Sequence, residues 1–490
     1  MDLLNQVHKI WILPNMTTPY SFIKGLTSSN IIIPAFNFSP IMDIINGEYV
    51  VGTDQVTYLN GGLCGNNAVT GGNNTQKTGF LVLAMCRMLV RFPSSIVVFF
   101  DIEATFSVQR LARQVDREIG IPGYFFEHIL NKRFFYYSRN DGCDGSFVHN
   151  WFKDADKSIR QDIKEKKAVK IKLPFPDNNG NPMEVYAPIV TCVDSLSEMQ
   201  FYKTSANYQE GDVDDGGEKN RRDMVIGNQR RIVYEDCDVL GGALDFVQLW
   251  TAQVVDVINM TGRPQEKESV FIRPGKKLKG PKSLLRLPQT GYEIIKGSQL
   301  KNGQDWMYPD PYGKDVFIDK DAKENPDLLY YPITPYRNKS GASGGFYSFI
   351  GSQSLGIQEG LSMYHTCKTS EMFGLEGSAI THASVLYPEC KVGRTTIRAK
   401  LYEDEKLQRA LTIQYQMCHM QRHWLDMNPK YRISPDELYV KIKEQGYDWD
   451  DILENTVDYY HQNPDIKKHP LSTMELLKIA LGERKPYWIK

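Results

Sequence analysis

The chain has 490 residues, 41% hydrophobic and 11% aromatic, enough to bury a large core divided over two or three domains. Fifty-eight Lys and Arg stand against 59 Asp and Glu, so a net charge of −1 excludes a protein that holds polyanions by bulk positive charge; any such contact must come from local patches or from self-association that aligns them. Eight cysteines without paired short spacing exclude a disulfide framework and a zinc ribbon, while the lack of a leader or of any run near the roughly 18 apolar residues of a membrane span predicts a soluble, intracellular protein.

Residues 1–50 hold the apolar patch Ile31 to Phe36 and short turns, and read as a segment apart from the core. Val56 to Tyr58 and then Ala68-Val69 are strand candidates. Directly after them, Thr70-Gly-Gly-Asn-Asn-Thr-Gln-Lys-Thr-Gly79 matches the phosphate-loop pattern GxxxxGK[ST] at Gly71, Lys77 and Thr78. That chemistry needs a glycine for the turn, a lysine for the phosphates and a hydroxyl for magnesium. Gln76 stands where the second glycine belongs. The apolar run Gly79 to Val90 predicts a buried helix, so strand, loop and helix occur in the order that points backbone amides and a helix dipole at an anion. The expected ligands are ATP and Mg2+, held by Gly71, Gly72, Asn73, Asn74, Thr75, Gln76, Lys77 and Thr78. The plainer alternative is a Gly/Asn turn carrying a solvated lysine.

Ser95 to Glu103 is an apolar strand ending in two carboxylates, and strand ends carry sites in open α/β sheets. Asp101 or Glu103 is suited to orient and deprotonate an attacking water; the alternative is an acid that caps the next helix. A basic, helix-like piece, Asp154 to Lys172, and the turn Pro176 to Gly180 follow. Tyr186 to Ser195 is another apolar strand, ending in Asp194, the candidate for the magnesium shell beside Thr78. A fourth strand, Asp245 to Gln253, ends in an amide placed to sense a γ-phosphate. Glu103, Lys77 and Gln253 are thus the candidate catalytic residues.

This ordered set resembles the RecA-like recombinases, and within them the phage strand-exchange proteins of the UvsX type, over about two thirds of the chain. Phe100-Asp-Ile-Glu103 is similar to the family's acid-x-acid step with a catalytic glutamate, and Val193-Asp194-Ser195 to its Walker B strand end. Gln253 is similar to its polar sensor, and phage members tend to lack the second loop glycine. Ile33-Pro-Ala-Phe and Ile44-Ile-Asn-Gly47 resemble the approach to the phage core, and Arg394 to Lys400 with Lys406 to Leu411 resembles its C-terminal subdomain. The resemblance implies an α/β fold: a RecA-like P-loop ATPase core with a central, mostly parallel sheet over residues 51–300. A polymerisation element would occupy residues 1–50, and a smaller C-terminal α or α+β domain residues 301–490. It further implies a DNA-dependent ATPase that forms helical homo-oligomeric filaments on single-stranded DNA, pairs it with double-stranded DNA, and works with a single-strand-binding protein and a mediator but no membrane. Its DNA-facing loops would be Lys203 to Gly241 and Val254 to Leu284, both expected to be disordered without DNA, with Arg273, Lys276, Lys277, Lys279 and Lys282 as phosphate contacts. Three other readings stay open: a ring-forming helicase or loader, a signalling ATPase without DNA, and a filament protein that has lost hydrolysis.

Gly303 to Gly344 is dense in Pro, Tyr, Asp and Gly and predicts a long ordered loop, whose tyrosines Tyr308, Tyr312, Tyr330, Tyr331 and Tyr336 pack or stack bases. Asp404 to Trp424, Glu437 to Tyr460 and Thr473 to Leu481 read as helices, the last stopping at Gly482. Cys418, His419 and His423 have a loosely ligand-like spacing, but a helix face with a buried Cys and exposed His accounts for it.

Overall fold

The computed structural model describes residues 32–202, 216–257, 275–302, 305–309, 328–339, 343–378, 380–420 and 427–485. Helix α1 (Pro40–Asn46) and the hairpin β1 (Glu48–Val51) and β2 (Thr57–Asn60) lead into β3 (Asn66–Gly71) and α2 (Lys77–Arg91). All seven residues of α1 are buried within the chain itself. Twelve of the fifteen residues of α2 are buried, as a helix that is apolar on nearly every side requires.

The chain continues through β4 (Ile96–Asp101), α3 (Val108–Ile119), β5 (Phe134–Ser138), α4 (Gly145–Lys164), the hairpin β6 (Lys170–Pro176) and β7 (Pro182–Tyr186), and β8 (Ile189–Asp194). Helix α5 (Gly216–Gly242), β9 (Val247–Asp256), β10 (Lys276–Lys279) and β11 (Thr290–Ile294) follow. Three further strands, β12 (Leu329–Asn338), β13 (Tyr347–Ser352) and β14 (Gly356–Ile357), join one large sheet in the order β14-β13-β12-β11-β3-β9-β8-β4-β5, with β10 paired to β9 and the short strand Ser298–Gln299 paired to β12. Pairings among β11, β3, β9, β8, β4 and β5 are all parallel, while β10 and β12 to β14 add antiparallel partners. The protein is therefore α/β with a mostly parallel central sheet. Runs such as Ile-Val-Val-Phe-Phe in β4 suit strands buried on both faces.

From β3 the chain does not return to a neighbouring strand. It runs through α2 to β4, which lies beyond β9 and β8. In open α/β sheets such a reversal of strand order opens a crevice at the carboxyl ends of the strands. Register brings Gly71 level with Gln253 on one side and Ile294 on the other, and Asp101 level with Asp194.

Several expectations need correction. The sheet runs on to Ile357, so the core does not stop at residue 300, and Leu329–Asn338 is a ten-residue strand rather than part of a loop. Residues 216–241 of the first expected DNA loop lie in a 27-residue helix, Gly216–Gly242, with Ile226, Val233, Tyr234 and Cys237 buried on one face. Residues 203–215 lie outside the described residues. The expected helix Glu437 to Tyr460 is two helices, Pro435–Glu444 and Trp449–Asn455, broken at Gly446, whose φ of 86° a continuing helix cannot accept. Tyr308, Tyr331 and Tyr336 are buried, which favours packing over base stacking; Tyr312 lies outside the described residues. His419 is buried beside Cys418, not exposed, and His423 is outside the described part.

The C-terminal region is α+β: α6 (Glu359–Thr369), a three-stranded sheet (Glu376–Gly377, Thr381–Ser384, Tyr387–Gly393), α7 (Ile397–Glu403) and α8 (Glu405–Met420) precede α9 (Pro435–Glu444), α10 (Trp449–Asn455) and α11 (Thr473–Ala480). Its own apolar cluster joins Leu438, Trp449, Ile452 and Leu476. The last helix reaches back to the start of the fold, where Glu475 accepts from the Thr57 amide at 2.9 Å and Lys478 donates to the Thr57 hydroxyl at 2.7 Å. Among the described residues no helix is long and apolar enough to cross a membrane.

Candidate phosphate-binding site

Gly71 ends β3 and must be glycine, because a Cβ there would sit 2.5 Å from the Ile294 carbonyl oxygen and 2.5 Å from the Thr75 hydroxyl. The Thr75 hydroxyl closes the turn by donating to the Gly72 carbonyl at 2.9 Å. Beyond Gly72 the loop is open, the nearest atoms to an added Cβ lying 3.8 Å away. Asn74 and Gln76 both take left-handed backbone, at φ 56° and 62°, and Gln76 caps α2. A left-handed residue at that position explains why the sequence pattern asks for glycine; a glutamine accepts the conformation at a cost of about 1 kcal/mol.

The Lys77 ammonium lies across the mouth of the loop, donating to the carbonyls of Gly72 at 2.6 Å and Gly71 at 3.3 Å. It is not a solvated surface lysine. Burial lowers its pKa, against the opposing pull of Asp194 and Glu103. Next to it the Thr78 hydroxyl donates to Asp194 at 2.6 Å, and the Thr251 hydroxyl donates to the other carboxylate oxygen. Asp194 is 3% exposed, and its burial raises its pKa despite those two bonds.

The two acids at the end of β4 divide. Asp101 is buried and accepts from the backbone amides of Thr105 and Phe106 at 3.3 and 3.0 Å and from the Tyr136 hydroxyl at 2.8 Å, so it anchors the loop that leads into α3 rather than capping the helix, whose N-cap is Ser107. Glu103 accepts from the Ser195 hydroxyl at 2.5 Å, which holds it beside Asp194 and within electrostatic reach of Lys77. Gln253 lies level with Gly71, and its backbone N–H donates to the Ser197 hydroxyl at 2.7 Å. Its strand does not stop there as expected but runs to Asp256. Gly71, Lys77, Thr78, Glu103, Asp194 and Gln253 thus gather at adjacent strand ends.

The expected DNA contacts are more scattered. Lys276 pairs with Asp256 across the β9–β10 ladder and Lys279 with Glu198 at 2.6 Å, so both are neutralised. Lys277 and Lys282 are exposed and make no ion pair among the described residues. Arg273 lies outside the described residues. Among those described, no three or more His, Cys, Asp and Glu converge as a metal cluster. Thr78 and Asp194 offer two hard oxygens on one point, which fits a magnesium ion that keeps most of its water and binds phosphate. Sequence reasoning named Ser195 without a role and missed Thr251. The hydroxyl of Thr251, two residues before Gln253 on the same buried strand, was a usable signal.

No protein-family model and no curated protein matches this chain.

Proposed function

We propose that this chain is an ATP-hydrolysing recombinase of the RecA-like, UvsX type, which polymerises on single-stranded DNA, pairs it with a duplex and exchanges strands. The observation that carries the reading is the 2.6 Å bond between Thr78 and Asp194, which ties the first turn of the loop's helix to the end of β8. A Gly/Asn turn with a solvated lysine has no reason to make it.

On this reading the backbone amides from Gly72 to Thr78 and the Lys77 ammonium bind the phosphates of ATP. Thr78 and Asp194 would hold Mg2+, which when bound offsets charge on the phosphate oxygens. Glu103, oriented by Ser195, is placed to align a water and accept its proton. Gln253 stands beside the loop on β9, which pairs with β10, so a change at Gln253 reaches Lys277 across the ladder, where Lys277 lies opposite Val255. Lys277 and Lys282 are the exposed cations for a DNA backbone there.

The test is ATP turnover with and without single-stranded DNA, with the same mixtures imaged by negative-stain electron microscopy. Stimulated turnover with helical filaments, both lost in Lys77→Ala, is the expected outcome. Closed rings would replace the recombinase by a helicase or loader, and filaments without turnover would make the loop structural.

A further inference from the structure

We infer that Arg110 is a nucleotide-binding residue, whose guanidinium meets the phosphate chain on the flank of the loop opposite Thr78 and Asp194. The inference rests on the nucleotide reading above and names a group that no motif in the chain identifies. Thr78 points from α2 toward β8, on one side of β3. Gln76 points the other way, its Cγ lying 3.2 Å from where a Cβ of Gly351 in β13 would stand. There Arg110 Nη2 donates to Gln76 Oε1 at 3.3 Å.

Two glycines make room for this arrangement. A Cβ on Gly79, in the first turn of α2, would fall 2.3 Å from Gln76 Oε1 and 3.3 Å from Arg110 Nη2, and a Cβ on Gly356, at φ 79°, would fall 3.5 Å from the same nitrogen. The guanidinium is half-buried, its Nε has no hydrogen-bond partner, and it makes no ion pair among the described residues. Burial and the nearby Arg113 both act against its charge. A half-buried cation without a counter-charge is costly to a fold, and an anionic ligand is what offsets that cost. The missing second glycine is thereby explained: Gln76 exchanges an easy left-handed turn for a side chain that holds a cation against the loop.

The position along the loop decides which phosphates it meets. Lys77 serves the terminal phosphates, whereas Gly79 lies two residues further into α2, so Arg110 addresses the part of the chain that ATP and ADP share. Calorimetric titration of MgATP and of MgADP into the wild type, Arg110→Gln, Arg110→Lys and Lys77→Ala tests this. Arg110→Gln is expected to weaken both nucleotides by the same factor, about tenfold for one lost charge-assisted bond, and Arg110→Lys to recover part of it. Equal loss for both nucleotides, with an unchanged urea midpoint, separates a ligand contact from a merely structural role. If Arg110→Gln binds both as the wild type does while Lys77→Ala is weakened, the inference fails and the site reading stands. If Lys77→Ala also binds normally, the site reading itself fails. A loss confined to MgATP overturns the placement, and should Arg110→Gln not fold, unchanged binding in Arg110→Lys overturns it equally, since a lysine cannot supply the planar fork.

Discussion

Replacing Thr78 by alanine isolates the bond on which the site depends. The hydroxyl donates at 2.6 Å to a carboxylate that is 3% exposed, and among the described residues Thr251 is the other hydrogen-bond donor to it, with Lys77 acting through its charge alone. A hydrogen bond to a charged group contributes about 1.5–3 kcal/mol, and alanine returns roughly 0.5 kcal/mol of helix propensity, so the net loss is on the order of 1–2.5 kcal/mol. Asp194 already has a raised pKa, which means that its buried charge opposes folding at high pH; the deficit in Thr78→Ala is therefore largest at neutral pH and shrinks as acid protonates Asp194. Thermal unfolding with and without MgATP reads both consequences. Ligand at a hundred times its Kd stabilises the wild type by about 2.7 kcal/mol, a gain expected to vanish in Thr78→Ala and return in Thr78→Ser. Wild-type stability in Thr78→Ala would refute the bond, and a full MgATP shift would refute the magnesium role.

The division of labour at the end of β4 predicts opposite phenotypes: Asp101→Asn loses about 1–2 kcal/mol in urea unfolding because three donors point at that carboxylate, whereas Glu103→Gln keeps its stability and loses ATP turnover. Lys277→Ala with Lys282→Ala should reduce the salt slope of single-stranded DNA binding by about 1.4, while Lys279→Ala, already paired with Glu198, should leave it unchanged. Burial, reinforced by Lys368, pushes the His365 ring from 6.5 down to about 4, so the unfolded chain takes up a proton that the fold refuses. Stability should therefore fall as the pH drops from 6.5 toward 4, and His365→Gln should flatten that decline in a denaturation series.

The site was legible where strand ends break an apolar run with a polar group, because burial on both faces makes every exception visible: Asp101, Glu103, Asp194 and Gln253 were read that way, and Gly71, Lys77 and Thr78 from the loop pattern. Which acid does what was not, since anchoring a loop and accepting a proton ask for the same residue type and only Thr105, Phe106 and Ser195 distinguish them. Strand β12 was hidden by Pro332 and Pro335. A proline removes a ladder donor, and the sheet accommodates Pro335 opposite Tyr292, where the register shifts. Helix α5 was hidden by charge: its buried residues recur at helical spacing among exposed Arg and Asp, and composition read the whole stretch as a loop. Arg110 owes its place to α3 packing on α2, a tertiary fact with no local signature.

The bonds from α11 to Thr57 also set a schedule for synthesis. Ser472 and Lys478 lie 415 and 421 residues after their partner. At 5–20 residues per second the ribosome delivers them on the order of 20–80 s after the β1–β2 hairpin has emerged. An isolated two-stranded hairpin is barely stable by itself. The β1–β2 hairpin is therefore among the last elements to settle, and removing α11 would be felt at Thr57.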